Sequence, residues 1–130
     1  MKRISNRSQL LAVIALAAFL AACNQPPEVI ARDAIVGAKA ALDSEKAKHP
    51  ECAGAKTGFC GVLSKATGAK DAAIDSLEVY CSGPSFDNGG ACNPPASGTP
   101  AAQQALDKLK AAVANMNQTI ADVKKAGGGN

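Results

Sequence analysis

The sequence predicts an all-α protein: a small antiparallel three-helix bundle with two disulfides, preceded by an N-terminal segment that is removed. Three stretches place apolar residues at steps of three and four, the period of a helix with one buried face. Breaks rich in proline and glycine separate them, at His49-Pro50 and over 82–98. Apart from Cys23, the four cysteines fall in those breaks or at the ends of the periodic stretches, where they can staple neighbouring elements.

The N-terminal segment has its own pattern. Lys2, Arg3 and Arg7 precede an uninterrupted apolar run from Leu10 to Leu20, followed by small residues, which is the order of a cleaved secretory signal peptide. The run is shorter than the roughly 20 apolar residues of a membrane span. It ends in Leu20-Ala21-Ala22-Cys23, which resembles the lipobox of bacterial lipoproteins. The resemblance covers residues 1–23. It implies a signal peptide over 1–22, and diacylglycerol on the sulfur of Cys23 with a further acyl chain on the new amino group. Residues 23–27 are then the lipidated cysteine and a short tether, 28–126 the bundle, and 127–130 a flexible tail. Two or more acyl chains anchor a protein stably where one does not, so the membrane is the first expected partner, through the lipid on Cys23. Asn24 is not the aspartate associated with inner-membrane retention, and the resemblance therefore implies the outer membrane, facing the periplasm.

The whole chain carries 14 basic and 11 acidic residues. Lys2, Arg3 and Arg7 belong to the signal and every acidic residue lies after Cys23, so 11 basic and 11 acidic residues remain in the mature part. The positive excess therefore belongs to export and gives no support for nucleic-acid binding. Large apolar side chains are sparse and alanine fills most apolar positions, so the core is expected to be thin and in need of staples.

The first helix is expected from Pro27 to Lys48. Proline is tolerated at its first turn, and Ile30, Ala34, Ala38, Ala41 and Leu42 lie on one face. Lys46 and Lys48 suit its C-terminal dipole, and Pro50 stops it by disfavouring helical geometry at His49. The second is expected over Phe59 to Cys81, with Phe59, Leu63, Ala66, Ala73, Leu77 and Tyr80 in a row and Lys70 in its one polar slot. Gly61 and Gly68 each cost about 1 kcal/mol relative to alanine, so this helix is expected to begin late or bend. Thr99 can cap the third helix and Pro100 can take its first position. Its row is Ala102, Leu106, Leu109, Val113, Met116, Ile120 and Val123, a coiled-coil-type seam. Gly127-Gly128-Gly129 is expected to end it.

The bundle fixes the disulfides. A helix of about 20 residues is roughly 30 Å long and holds Cys60 far from Cys81, whereas bonded cysteines need α-carbons within about 7 Å. Cys52 is therefore paired with Cys60 and Cys81 with Cys92. No C-x-x-C occurs among these cysteines, which removes the usual zinc and redox spacings.

Chemistry-bearing groups are few. His49 is the only histidine, and without a recurring partner it is read as a surface residue at a helix end. Asp71, Asp75 and Glu78 form a ladder, read as a solvated face rather than an acid-base pair. Asp87-Asn88-Gly89-Gly90 lacks the calcium-loop pattern and is read as a turn. Phe86, on the long loop between Cys81 and Cys92, is the candidate partner contact, weighed against folding back over the bundle end. Asn117-Gln118-Thr119 matches a glycosylation sequon but is read as solvent-facing helix surface.

No catalytic group, metal or cofactor is expected, and the protein is not expected to be an enzyme. The expected function is that of a membrane-anchored envelope lipoprotein with a structural or protein-interaction role, with an envelope protein as partner. One alternative is a homo-oligomer zipped through helix 3, broadly similar to the murein-lipoprotein class. The chain departs from that class in its internal cysteines, its proline breaks and its lack of a terminal lysine. The other is a small ligand-binding or enzymatic helical domain with a cleft between helices.

Overall fold

Each of the three periodic stretches is a helix in the computed structural model, which describes residues 25–83 and 91–128. Helix α1 spans Pro27–Lys48, α2 spans Gly58–Cys81 and α3 spans Pro100–Gly128, with a 3-10 turn at Pro50–Cys52 behind α1. No strand occurs among the described residues. Cys23 and the candidate contact Phe86, with the turn at 87–90, lie outside them.

Helix α1 opens with proline, has Glu28 in its first turn, and closes with Lys46 and Lys48, an arrangement that suits its dipole at both ends. It buries Ala31, Ile35, Ala38 and Leu42. Of the expected face, Ala38 and Leu42 are buried and Ala34 and Ala41 pack partly on the core, while Ala31 and Ile35 take the places nearest the N-terminus and Ile30 stands to one side. Ile35 is completely buried, and burying it removes more apolar surface from water than burying Ala34 would. Val36 is left 53% exposed.

Helix α2 is continuous from Gly58 through Gly61 and Gly68 to Cys81, which corrects the expected late start. Gly61 faces the carbonyl oxygen of Lys56, and a Cβ there would lie 2.8 Å from that oxygen. The glycine therefore permits the tight approach of the 52–60 loop. Nothing packs on Gly68, and its cost is offset by the buried face of Leu63, Ala66, Ala69, Ala73, Leu77, Tyr80 and Cys81. Lys70, the polar slot, pairs with exposed Asp71 at 2.9 Å.

The helix ends in a Schellman arrangement: Ser82 N–H donates to Val79 O at 3.3 Å and Gly83 N–H to Glu78 O at 3.0 Å. Ser82 occupies the left-handed position, with φ 61°, where a side chain is strained and glycine is not. Ser82→Gly is therefore expected to stabilise the protein by up to about 1 kcal/mol, the relief of strain exceeding glycine's entropic cost. An unchanged or lowered urea midpoint would contradict this.

Helix α3 starts as its sequence indicates. Ala102 N–H donates to Thr99 Oγ1 at 3.2 Å, and the same hydroxyl donates to Ala96 O at 2.7 Å. Leu109, Val113, Met116, Ile120 and Val123 are buried and Leu106 packs partly against them. Two differences from expectation appear. The helix runs through Gly127 and Gly128 rather than stopping there, and Gly127 lies so close to the Phe59 ring that a Cβ would collide with it. Thr119 is buried, not solvent-facing; its Oγ1 donates to Met116 O at 2.8 Å and so satisfies the hydroxyl.

The helices form a bundle in which α2 and α3 share the most extensive contact and α1 packs on both. Ile35, Leu42, Leu77, Leu109, Met116 and Val123 are its fully buried large side chains. Buried alanines at 31, 38, 66, 69 and 73 fill the remaining positions and allow a close spacing of helices, which depends on the side chains at the contact. Two disulfides staple the chain: Cys52 to Cys60, α-carbons 4.9 Å apart, and Cys81 to Cys92, 4.4 Å apart. The second is reinforced by Asn93 N–H donating to Cys81 O at 3.0 Å.

Candidate functional site

Two hollows lie at the two ends of α1. At its C-terminal end, His49 is held where the helix stops, its N–H donating to Glu45 O and Lys46 O. The ring packs on Phe59, centroids 4.4 Å apart and planes tilted by 50°. Its Nδ1 donates to Glu51 Oε1 at 2.9 Å, and Nε2 lies 3.8 Å from Glu45 Oε2. The hydrogen bond from His49 holds the Glu51 carboxyl below its ordinary value, with the residue's own backbone N–H adding to the effect. Beside this cluster is a hollow of about 550 Å³, walled by Lys46, Lys56, Ser64, Thr67, Asp71 and the Cys52–Cys60 bridge. Its charges are of both signs and lie on its rim, so it presents no single electrostatic field to a ligand.

At the other end of α1 the first turn and the middle of α3 enclose a groove of about 600 Å³. Pro27, Ile30, Ala31, Leu109, Val113 and Ala114 give it apolar walls, and Lys110, Asn117 and Gln118 supply the polar edge. Its size lies within the range of about 300–1,000 Å³ of small-molecule sites, and apolar walls with a few polar groups are the usual lining of such sites. The groove exists because α1 begins on an apolar turn whose Ile30 lies beside, rather than on, the buried line of Ala31 and Ile35. Near the same end, burial raises the Tyr80 hydroxyl above its ordinary value and the charge of Glu28 adds to that.

Of the residues singled out from the sequence, His49, Asp71, Cys52 and Cys60 all line the hollow at the C-terminal end of α1, whereas Asp75, exposed on α2, and half-buried Glu78 do not. Among the described residues no three or more His, Cys, Asp or Glu side chains cluster as metal ligands. No described helix is long and apolar enough to cross a membrane. Sequence periodicity places Ile30 on the buried face and so does not reveal the groove, where Ile30 is a half-buried wall. No protein-family model, curated protein or solved structure matches this chain.

Proposed function

We propose that this chain is a membrane-anchored envelope lipoprotein, with lipid on Cys23, whose antiparallel three-helix bundle has a structural or protein-interaction role at the periplasmic face of the outer membrane. The observation that supports the reading is how soon a helix follows Cys23. Helix α1 starts at Pro27, four residues beyond Cys23, and four extended residues reach only about 14 Å. A bundle on so short a leash stays against the bilayer, where it can meet other surface-bound proteins.

Contacts at the helix ends support the antiparallel order. His49 at the end of α1 packs on Phe59 at the start of α2, and Phe59 meets Gly127 at the end of α3. At the other end the charge of Glu28 is felt by Tyr80. Self-association through the α3 seam has less to draw on, since Leu109, Val113, Met116, Ile120 and Val123 are buried within the chain. A ligand-carrying role draws on the groove, whose mainly apolar lining suits an apolar occupant better than polar chemistry.

Intact-mass measurement tests the lipoprotein reading directly. The expected species is residues 23–130 plus acyl groups, partitioning into a detergent phase. Cys23→Ala is expected to abolish both the added mass and the processed, membrane-bound form. A processed chain with an unmodified Cys23 would refute the reading.

A further inference from the structure

We infer that the groove between the first turn of α1 and the middle of α3 seats an acyl chain carried by Cys23 of the same molecule; this rests on the lipoprotein reading above. The occupant follows from position. Pro27 is itself a wall of the groove, and Cys23 stands four residues before it. A reach of at most about 14 Å keeps the acyl attachment near the mouth whatever path the tether takes. A partner molecule would have to compete with a chain tethered at high effective concentration.

The chemistry fits the same occupant. Ile30, Ala31, Leu109, Val113 and Ala114 present hydrocarbon, and no carboxylate lines the groove to repel an ester or amide oxygen. Asn117 and Gln118 on the edge offer N–H donors to those oxygens. Within a bilayer the acyl chain is already out of water and gains little by entering the groove. Away from the bilayer it is exposed, and burial in the groove becomes favourable. The seat is therefore filled when the lipid is away from a bilayer and is given up on insertion.

The experiment uses protein lipidated in cells fed a fatty acid with a photoactivatable group in its chain. Intact mass is read first; an unacylated Cys23 defeats the lipoprotein reading itself. The acylated protein is diluted out of detergent, and the monomeric fraction is irradiated and digested. Crosslinks are expected within one molecule, concentrated on the peptide over 111–124 and on the first turn of α1. Ala114 and Ala111 are both exposed on α3, but only Ala114 lines the groove. Ala114→Trp, which puts an indole into the groove, should lower that crosslink several-fold. Ala111→Trp should leave it unchanged, with both variants first shown to be folded by circular dichroism. Crosslinks spread evenly over α2 and α3, crosslinks joining two protein chains, or indifference to Ala114→Trp in acylated protein would each overturn the acyl seat while leaving the anchor in place.

Discussion

Replacing Cys81 and Cys92 together by alanine is expected to lower the unfolding free energy by about 3 kcal/mol. The bond closes a loop with a sequence separation of 11, for which the chain-entropy model gives about 2.8 kcal/mol. Two further losses act in the same direction. Cys81 is 2% exposed, so removing its sulfur leaves a void among core side chains, and the Asn93 N–H bond to its carbonyl loses the covalent constraint that orients it. A small domain has a total of roughly 5–15 kcal/mol, so this single change removes a large share. The Cys52–Cys60 bond, with a separation of 8, is expected to contribute about 2.5 kcal/mol. Urea unfolding followed by circular dichroism decides: a loss below about 1 kcal/mol for the Cys81 and Cys92 pair would mean that the loop is already restrained in the unfolded chain.

Leu77→Ala is expected to cost a further large amount, about 2–5 kcal/mol, the range for deleting a buried leucine side chain. Leu77 has no exposed surface and lies on the buried face of α2. Val79→Ala, two residues away on a surface 67% exposed, is the matched control and should change stability by no more than about 0.5 kcal/mol. Equal effects at the two positions would show that α2 does not bury the face described here. Leu77 lies one helical turn before Cys81, so its loss and that of the disulfide are expected to be non-additive.

How much of this was legible in the sequence depended on how one-sided each pattern was. The α3 seam steps by four and three without interruption; Leu109, Val113, Met116, Ile120 and Val123 of it are buried, with Thr119 added, while Ala102 and Leu106 are half-buried. Threonine looks polar in a pattern, but its hydroxyl returns to the backbone of its own helix and leaves the methyl to pack. The face of α1 is legible in its second half, at Ala38 and Leu42, but less so in its first, because apolar residues occur at 29, 30, 31, 34, 35, 36 and 38 and several phases fit. The continuity of α2 was not legible, since propensity counts the cost of Gly61 and Gly68 and omits the tertiary face that outweighs it. Gly127 illustrates the same limit. A run of glycines ordinarily ends a helix, but here the Phe59 ring, far away in sequence, favours the residue without a side chain. The groove depends on where α1 starts relative to α3, a register between elements that no local pattern encodes.

The two bridges also bear on how the chain reaches its oxidised, native form. Of the three ways to join Cys52, Cys60, Cys81 and Cys92, the observed one links only sequence neighbours, at separations of 8 and 11. Loop-closure entropy grows with the logarithm of loop length, so encounters between these neighbours are the most frequent even before the helices dock. Helix α2 then holds Cys60 and Cys81 at opposite ends and blocks the crossed pairings sterically. Oxidation and folding therefore favour the same product at every stage, and the protein has little need of disulfide reshuffling on its way to the native state.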